Sequence, residues 1–226
     1  MMEENIIARA KALRREVEAV CRETGRDPAE ITVLAATKVQ TAERVRAVLP
    51  FVDACGENRV QEFCEKYDAG AYTGKPVHFI GHLQTNKVKF LVGRCDLIQS
   101  VDSPRLAKAV SDRAAALGLV QDILAELNIG RDENKTGCLP EDLPELFSAI
   151  RALPGVRLRG LMCVPPKGTP EETAPWFAKT REIYEKYAPE WGFDILSMGM
   201  SGDWAAAIRE GSTLIRVGTG IFGARM

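Results

Sequence analysis

Long apolar runs are missing from this sequence. No stretch approaches the ~20 consecutive apolar residues that a membrane-spanning helix needs, and the first residues, MMEEN, are acidic. A charge excess of one sign is missing too, because 30 lysines and arginines balance 31 aspartates and glutamates. These absences argue against a membrane or a nucleic acid as the main partner, and we expect a cytoplasmic protein.

Paired cysteines and clusters of metal ligands are scarce as well. The six cysteines form no C-x-x-C pair, and several stand inside apolar runs such as GLMCVPP. We therefore expect buried free thiols in a reducing compartment rather than disulfides. The only two histidines, His78 and His82, have no cysteine or carboxylate close to them along the chain, so we expect no metal site.

The composition is that of an ordinary globular protein, with 226 residues of which 46% are apolar, and we expect a single domain over residues 1–226. Eight short apolar runs alternate with segments of helical periodicity. Such alternation indicates parallel strands, and eight strands close a (β/α)8 barrel. The predicted strands are Ile31–Val39, Phe51–Cys55, Pro76–Ile80, Cys95–Gln99, Gln121–Asn128, Val156–Cys163, Phe193–Ser197 and Thr213–Val217.

Helical periodicity predicts one helix more than a barrel needs. Apolar residues at helical spacing between Ile6 and Val20 predict a helix before the first strand, packed outside the barrel or across one end. An open doubly wound sheet is the alternative fold, but Ala36-Thr37-Lys38 is not the glycine-rich fingerprint expected after its first strand. The other predicted helices span 41–49, 59–67, 85–92, 104–117, 141–153, 176–187 and 203–210, with loops at 130–140 and 164–175.

Lys38 stands where the first apolar strand ends. A lysine in this place packs its stem against apolar neighbours, and desolvation of the ammonium lowers its pKa. The neutral amine that results can attack a carbonyl and form a Schiff base. The alternative is an ordinary lysine whose ammonium reaches solvent.

Chemistry in a (β/α)8 barrel takes place at the carboxyl ends of its strands. Nearly every predicted strand of this chain ends in a polar residue or a glycine, which is the pattern expected of a site at that end. The residues concerned are Lys38, Glu57, Asn58, His82, Ser100, Asp102, Asn128, Ser201, Gly218 and Thr219.

The loops after the last two strands have features of a phosphate-binding cup. Ser201 or Asp203 is expected to cap the short helix that follows the seventh strand, and Gly218-Thr219 offers backbone N–H groups with little side chain in the way. Loops in these two positions of the fold often bind phosphate. Two ordinary turns are the alternative.

Arg216 is unusual inside an apolar strand. It stands two residues before Gly218, so both share one face, and an inward face would place a guanidinium beside the cup. An outward arginine that reaches past the helices is the alternative. A lysine and a phosphate cup fit one ligand with an aldehyde and a phosphate, such as pyridoxal phosphate. A phosphosugar bound by an aldolase lysine also fits.

Six motifs spread over nearly the whole chain carry a resemblance to a known family. They are TKV around Lys38, GENRVQE at 56–62, HFIGHLQTNK at 78–87, SVDS at 100–103, LRGLM at 158–162 and LSMGMSGDWAAAIREGSTLIRVGTGIFGAR at 196–225. On these motifs the chain resembles the pyridoxal phosphate homeostasis protein family. The resemblance implies a single barrel similar to the N-terminal domain of alanine racemase.

The resemblance also implies roles for individual residues. Pyridoxal 5′-phosphate is expected on Lys38 as a Schiff base, its phosphate on Ser201, Gly218 and Thr219, and its pyridine nitrogen near Arg216. Asn58 and His82, at the ends of the second and third strands, complete the set of cofactor-binding candidates.

The function implied by the resemblance is to carry or buffer pyridoxal phosphate for vitamin B6 and amino-acid and keto-acid homeostasis, with pyridoxal phosphate-dependent apoenzymes as recipients. A racemase-like enzyme is the alternative. It would need a second base, for which His82 or Tyr72 is a candidate, and we expect no second domain to supply one. We expect a monomer, because the barrel covers its own core.

Overall fold

Eight parallel strands close into a barrel in chain order, and the eighth strand pairs with the first. The predicted fold is therefore confirmed. The computed structural model describes residues 2–224, so Arg225 at the end of the last motif lies outside the described residues. The strands are β1 Thr32–Ala36, β2 Ala54–Glu57, β3 Val77–Phe79, β4 Leu97–Val101, β5 Gln121–Leu127, β6 Val156–Cys163, β7 Ile195–Met200 and β8 Leu214–Val217.

Helices lie outside the barrel, and the first of them is the extra helix predicted before β1. This helix packs against the helices that follow the first, seventh and eighth strands. Within residues 2–224 no helix combines the length and the apolar character that a membrane span requires. The α-helices are α1 Met2–Thr24, α2 Ala42–Val48, α3 Val60–Asp68, α4 Pro104–Ala116, α5 Leu143–Arg151, α6 Pro170–Trp191, α7 Trp204–Arg209 and α8 Thr219–Phe222, and the 3-10 helices are Pro28–Glu30, Leu49–Phe51, Thr85–Phe90 and Pro140–Asp142.

The apolar clusters show which side of the sheet each strand residue faces. Successive side chains of a strand point to opposite faces. Val33 shares a buried cluster with α1 and therefore faces the helices. Leu34, Ala36 and Leu214 form a separate cluster inside the barrel. Arg216, two residues after Leu214, consequently points into the barrel.

Three strands lie further along the chain than predicted. β2 begins at Ala54 rather than Phe51, because Leu49–Phe51 forms a 3-10 turn with a proline in its first turn. β4 and β7 also end later than predicted. As a result Glu57 and Ser100, which were expected in loops, are buried strand residues.

Two predicted helices differ in type or extent. The segment after β3 is the 3-10 helix Thr85–Phe90 rather than an α-helix. α6 begins at Pro170 rather than Trp176, so the proline-rich loop is shorter than predicted. The physical reason is that Pro170 occupies the first helical turn, where its missing N–H costs nothing, behind a capping box formed by Thr169 and Glu172.

All six cysteines are free thiols, as predicted, and all of them except the half-buried Cys64 are buried. Burial raises the pKa of Cys55 and of Cys95 to about 12. These thiols are therefore protonated at neutral pH and contribute packing rather than reactivity.

Candidate functional site

Lys38 is half-buried in the turn that follows β1, at the carboxyl end of the barrel as predicted. The backbone on both sides of it is hydrogen-bonded. The N–H of Thr37 donates to the carbonyl oxygen of Gly56 on β2 at 2.9 Å. The N–H of Val39 donates to the Glu62 carboxylate on α3 at 2.7 Å. The amine thus stands on a fixed turn at the mouth of the barrel.

The loops after β7 and β8 meet at Ser201. The hydroxyl oxygen of Ser201 accepts hydrogen bonds from the backbone N–H groups of Gly218 and Gly220, both at 3.1 Å. These two glycines flank Thr219, the exposed first residue of α8. The two halves of the predicted cup are therefore joined. Because Ser201 accepts both bonds, its hydroxyl can still donate its proton to a ligand.

The predicted cap on α7 is confirmed in position but not in its hydrogen bond. Asp203 occupies the N-cap position, but its side chain makes no cap bond to the helix and instead accepts the N–H of Met200 at 2.6 Å. The reason is that β7 continues to Met200, so Asp203 closes the turn that follows the strand. Ser201 binds the N-terminal end of α8, and the candidate anion site belongs to the β8 loop.

Arg216 lies inside the barrel and is only 4% exposed, so the outward alternative is wrong. Its guanidinium donates to the Ser197 hydroxyl at 2.6 Å and to the backbone oxygen of Cys163 at 2.8 Å. The Ser197 hydroxyl donates to Gln99 Oε1 at 2.6 Å, and Gln99 Nε2 lies 2.9 Å from His78 Nδ1. A chain of polar side chains therefore crosses the barrel interior.

The arginine sets the direction of this chain, because a guanidinium can only donate. The Ser197 hydroxyl accepts a hydrogen bond from Arg216 and donates one to Gln99. The amide nitrogen of Gln99 then donates to His78, which must keep Nδ1 unprotonated. Burial supports this state, since it lowers the pKa of His78 to about 4. The chain consequently keeps one arrangement at neutral pH.

Glu126 on β5 is another buried polar group at the mouth. Its Oε1 accepts the Thr136 hydroxyl at 2.8 Å, while its buried Oε2 has no hydrogen-bond partner among the described residues. Burial raises the pKa of Glu126 and Asp102 adds to this rise, whereas the Thr136 bond, Arg216 and His82 act against it. Glu126 therefore shares the electrostatic environment of Arg216.

Four polar residues of this interior were not predicted from the sequence: Gln99, Ser197, His78 and Glu126. A signal for them was available, since each is a polar residue inside an otherwise apolar strand. The same signal had indicated Arg216. Most of the predicted site residues stand at the ends of strands, whereas these four lie within the strands, just below the mouth of the barrel.

Asn58 and His82 occupy adjoining loops. A Cβ on Gly81 would lie 2.1 Å from the backbone oxygen of Asn58, so the two loops are in close contact. Both residues line a cleft of about 780 Å³ beside α3, whose lining within residues 2–224 does not include Lys38 or the β7 and β8 loops. A role for Asn58 and His82 in cofactor binding stays a prediction.

Tyr72 is bound in a way that disfavours its candidate role as a base. Its hydroxyl donates to the Glu57 carboxylate at 2.9 Å. Burial raises the pKa of Tyr72, and the charge of Glu57 raises it further. A phenol that donates to a buried carboxylate is not poised to accept a substrate proton.

Similarity to known proteins covers nearly the whole chain. Residues 9–226 match the family model described as alanine racemase, N-terminal domain. The pyridoxal phosphate homeostasis protein of Aquifex aeolicus (strain VF5) is 41% identical over 225 residues, which cover 98% of this chain and 99% of that protein. This chain belongs to the pyridoxal phosphate homeostasis protein family.

Solved structures agree with membership of this family. PipY of Synechococcus elongatus PCC7942, solved with PLP bound, matches with a TM-score of 0.79 at 32% identity, covering 92% of this chain and 99% of that chain. An unknown protein from Bifidobacterium adolescentis matches with a TM-score of 0.90 at 31% identity, covering 98% and 96%. In this member of the family, the last motif runs from β7 to α8 and contains Ser201, Arg216 and Gly218.

Glu126→Gln is expected to stabilise the ligand-free protein at neutral pH. With its raised pKa, Glu126 binds a proton more tightly in the folded than in the unfolded state, so it costs stability as the pH rises above the ordinary value of 4.5. Glutamine keeps an oxygen for the Thr136 bond and cannot ionise. Thermal unfolding measured from about pH 4 to about pH 8 should show that the melting temperature of the variant increases relative to that of wild type as the pH rises.

Glu141→Gln is the matched control. Glu141 is exposed and bonded to Arg131 at 2.7 Å, and this hydrogen bond lowers its pKa. Its substitution should therefore reduce stability above pH 4.5, the sign opposite to that of Glu126→Gln. A Glu126→Gln protein that is less stable than wild type across the whole range would contradict the raised pKa.

Proposed function

We propose that this protein binds pyridoxal 5′-phosphate at the carboxyl end of its barrel and carries or buffers it for vitamin B6 and amino-acid and keto-acid homeostasis. The names of its curated relatives and the PLP-bound PipY structure support this ligand. The structural observation that carries the proposal is a contact between β1 and the β8 loop. A Cβ on Gly218 would lie 3.6 Å from that of Ala36, two residues before Lys38. The turn that carries Lys38 and the candidate anion-binding loop thus lie side by side.

The phosphate end of the cofactor is assigned to the loops joined at Ser201. The Ser201 hydroxyl and the backbone N–H of Thr219 would supply donors at the beginning of α8, beside Gly218, whose own N–H donates to Ser201. Donors of this kind bind phosphate strongly, because hydrogen bonds to an ionised acceptor are stronger than neutral ones. The phosphate contacts do not involve the lysine, so they act as an independent binding point.

The aldehyde end is assigned to Lys38. Lys38 would form a Schiff base with the aldehyde that the cofactor supplies. The two protons of the amine would leave with the aldehyde oxygen as water, so no oxidant or reductant would take part. Lys38 is half-buried in the turn that follows β1, at the mouth of the barrel where the ligand would bind.

The polar groups at the mouth fit such a ligand. Glu126 Oε2 is a buried atom without a hydrogen-bond partner among the described residues. Buried polar atoms are nearly always satisfied in folded proteins, so an unsatisfied one is typical of a site that receives a polar ligand. Arg216 offers only donors, which suits an unprotonated ring nitrogen.

Arg216 also favours binding over turnover. Burial lowers the pKa of Arg216 from its ordinary 12.5, but a guanidinium starts so far above neutral pH that it stays charged. A pyridine nitrogen that faces it stays unprotonated and withdraws electrons weakly from a carbanion. The protein would therefore hold the cofactor without turning over a substrate. In our proposal it does so as a monomer and releases the cofactor to pyridoxal phosphate-dependent apoenzymes.

Borohydride reduction of protein loaded with pyridoxal phosphate should attach the cofactor permanently to Lys38. Reduction converts the double bond to a stable single bond, and peptide mass spectrometry then locates it. Lys38→Ala should still bind the cofactor reversibly, because the phosphate contacts remain. Lys89→Ala, which removes an exposed lysine near the mouth, serves as the control and should change neither result.

The outcomes of this experiment separate the two binding points. Cofactor attached to a different lysine would contradict the assignment of Lys38. A Lys38→Ala protein that binds no cofactor, beside a Ser201→Ala protein that binds normally, would show that the phosphate point is misplaced.

Ser201→Ala should weaken cofactor binding and leave the covalent bond intact at saturation. The variant loses one hydrogen bond to a charged group, about 1.5–3 kcal/mol, which is roughly ten-fold or more in the dissociation constant. Titration followed by the absorbance of the Schiff base measures the change. Ser148→Ala, at an exposed serine on α5, is the control and should bind like wild type. Equal affinities for all three proteins would refute the cup.

A racemase-like activity is the second candidate, supported by the match to the alanine racemase N-terminal domain. It needs a base opposite the lysine, and Tyr72 is already bound to Glu57. We expect the loaded protein to exchange no α-proton of the common amino acids into D2O above the rate of free cofactor, as read by proton NMR. Exchange at enzyme-like rates would favour the racemase-like function, and His82→Ala would then test the remaining candidate base.

A further inference from the structure

The turn that carries Lys38 has an unfavourable backbone conformation. Val39 has a φ of 62°, in the left-handed region that β-branched residues rarely adopt. Its side chain is 62% exposed, so packing against the core contributes little to holding it there. Such a conformation persists only where surrounding contacts impose it.

Two glutamates and a lysine from β2 and α3 supply these contacts. Glu62 accepts the Val39 N–H at 2.7 Å. Glu57 accepts the hydroxyl of Thr37 at 2.5 Å, and Lys66 donates to the Thr37 carbonyl oxygen at 2.6 Å. The residues immediately before and after the cofactor lysine are therefore both held from outside the turn.

Lys66 links the two carboxylates into one cluster. Its ammonium lies 2.7 Å from Glu57 and 3.5 Å from Glu62. Glu57 and Lys66 are both buried, and a buried ion pair is weak evidence for stabilisation, because its desolvation offsets its attraction. The contacts of this cluster converge instead on the turn, with two of them on Thr37. This convergence favours a role in positioning.

We propose that Glu57, Glu62 and Lys66 are positioning residues, which hold the turn so that the amine of Lys38 faces the aldehyde of the bound cofactor. This inference rests on the proposed function, in which Lys38 forms the covalent bond. A nucleophile held in place reacts faster than a mobile one. Loosening the turn should therefore slow covalent attachment and leave phosphate binding unchanged.

Glu62→Ala is the most informative variant, because it removes the acceptor of the Val39 N–H and leaves the buried Glu57–Lys66 pair in place. Mixed with excess pyridoxal phosphate, it should form the bond to Lys38 roughly five-fold or more slowly than wild type. Borohydride quenching at timed intervals measures this rate. In a Lys38→Ala background, the same substitution should leave the dissociation constant for reversible binding unchanged.

Glu65→Ala is the matched control. Glu65 lies one helical turn further along α3, is exposed, and bonds to the side chain of Gln61 rather than to the turn. It should attach the cofactor at the wild-type rate. Adding Val39→Gly to Glu62→Ala should restore most of the rate, since glycine adopts a positive φ without steric cost. A role in global stability alone predicts no such rescue.

Amide hydrogen exchange of Val39 gives a readout that needs no cofactor. Exchange should be faster in Glu62→Ala than in wild type and unchanged in Glu65→Ala. If Glu62→Ala does not fold, the double variant Lys66→Met, Glu57→Gln replaces it. This variant weakens the contacts to Thr37 on the other side of the turn, and it should also slow attachment of the cofactor.

The result that overturns the positioning role is clear. Val39 exchange would be accelerated in Glu62→Ala, yet this variant would attach the cofactor as fast as wild type. A wild-type protein that does not attach the cofactor to Lys38 would instead overturn the proposed function. The two failures are therefore distinguishable.

Discussion

Pairing between β1 and β8 is the interaction on which the rest of the structure depends. The two strands run in parallel register from Thr32 opposite Leu214 to Ala35 opposite Val217, which closes the barrel, so the sheet formed by residues 2–224 has no free edge. Because parallel strands end on the same side, this pairing brings Lys38 from the beginning of the chain next to Gly218 from its end. α1 covers the pair from outside through a shared apolar cluster. Neither the amine nor the β8 loop would form a site alone.

Beside this pair, a chain of hydrogen-bonded polar side chains crosses the interior of the barrel. Arg216, Ser197, Gln99 and His78 form one directed chain of hydrogen bonds, and a fully bonded buried network is rigid, whereas a partly bonded one is costly. A guanidinium held in this way presents a constant positive charge to the mouth of the barrel. That constancy suits a protein that holds a cofactor in one state better than one that must stabilise a transient carbanion.

Much of the fold could be predicted from the sequence, because eight apolar runs that alternate with segments of helical periodicity indicate a barrel. The polar residues at the ends of the strands indicate where the candidate site lies. Lys38, Ser201 and Gly218 were predicted in this way. The hydrogen bonds that Ser201 accepts from Gly218 and Gly220 were not predicted, because a capping pattern is read from neighbouring residues of the sequence, whereas these bonds join two separate loops. The predicted start of α6 was wrong, because a proline can either end a helix or occupy its first turn. The cluster around Lys66 gave no sequence signal, because its buried ion pair exists only once α3 packs on β2.

A crystal structure of the protein with bound pyridoxal phosphate is the most direct test of the two-point site. The account predicts the phosphate within hydrogen-bond distance of the Ser201 hydroxyl and the beginning of α8, and continuous density between the cofactor and the Lys38 amine. A phosphate bound instead in the cleft lined by Asn58 and His82, with Lys38 unmodified, would contradict it.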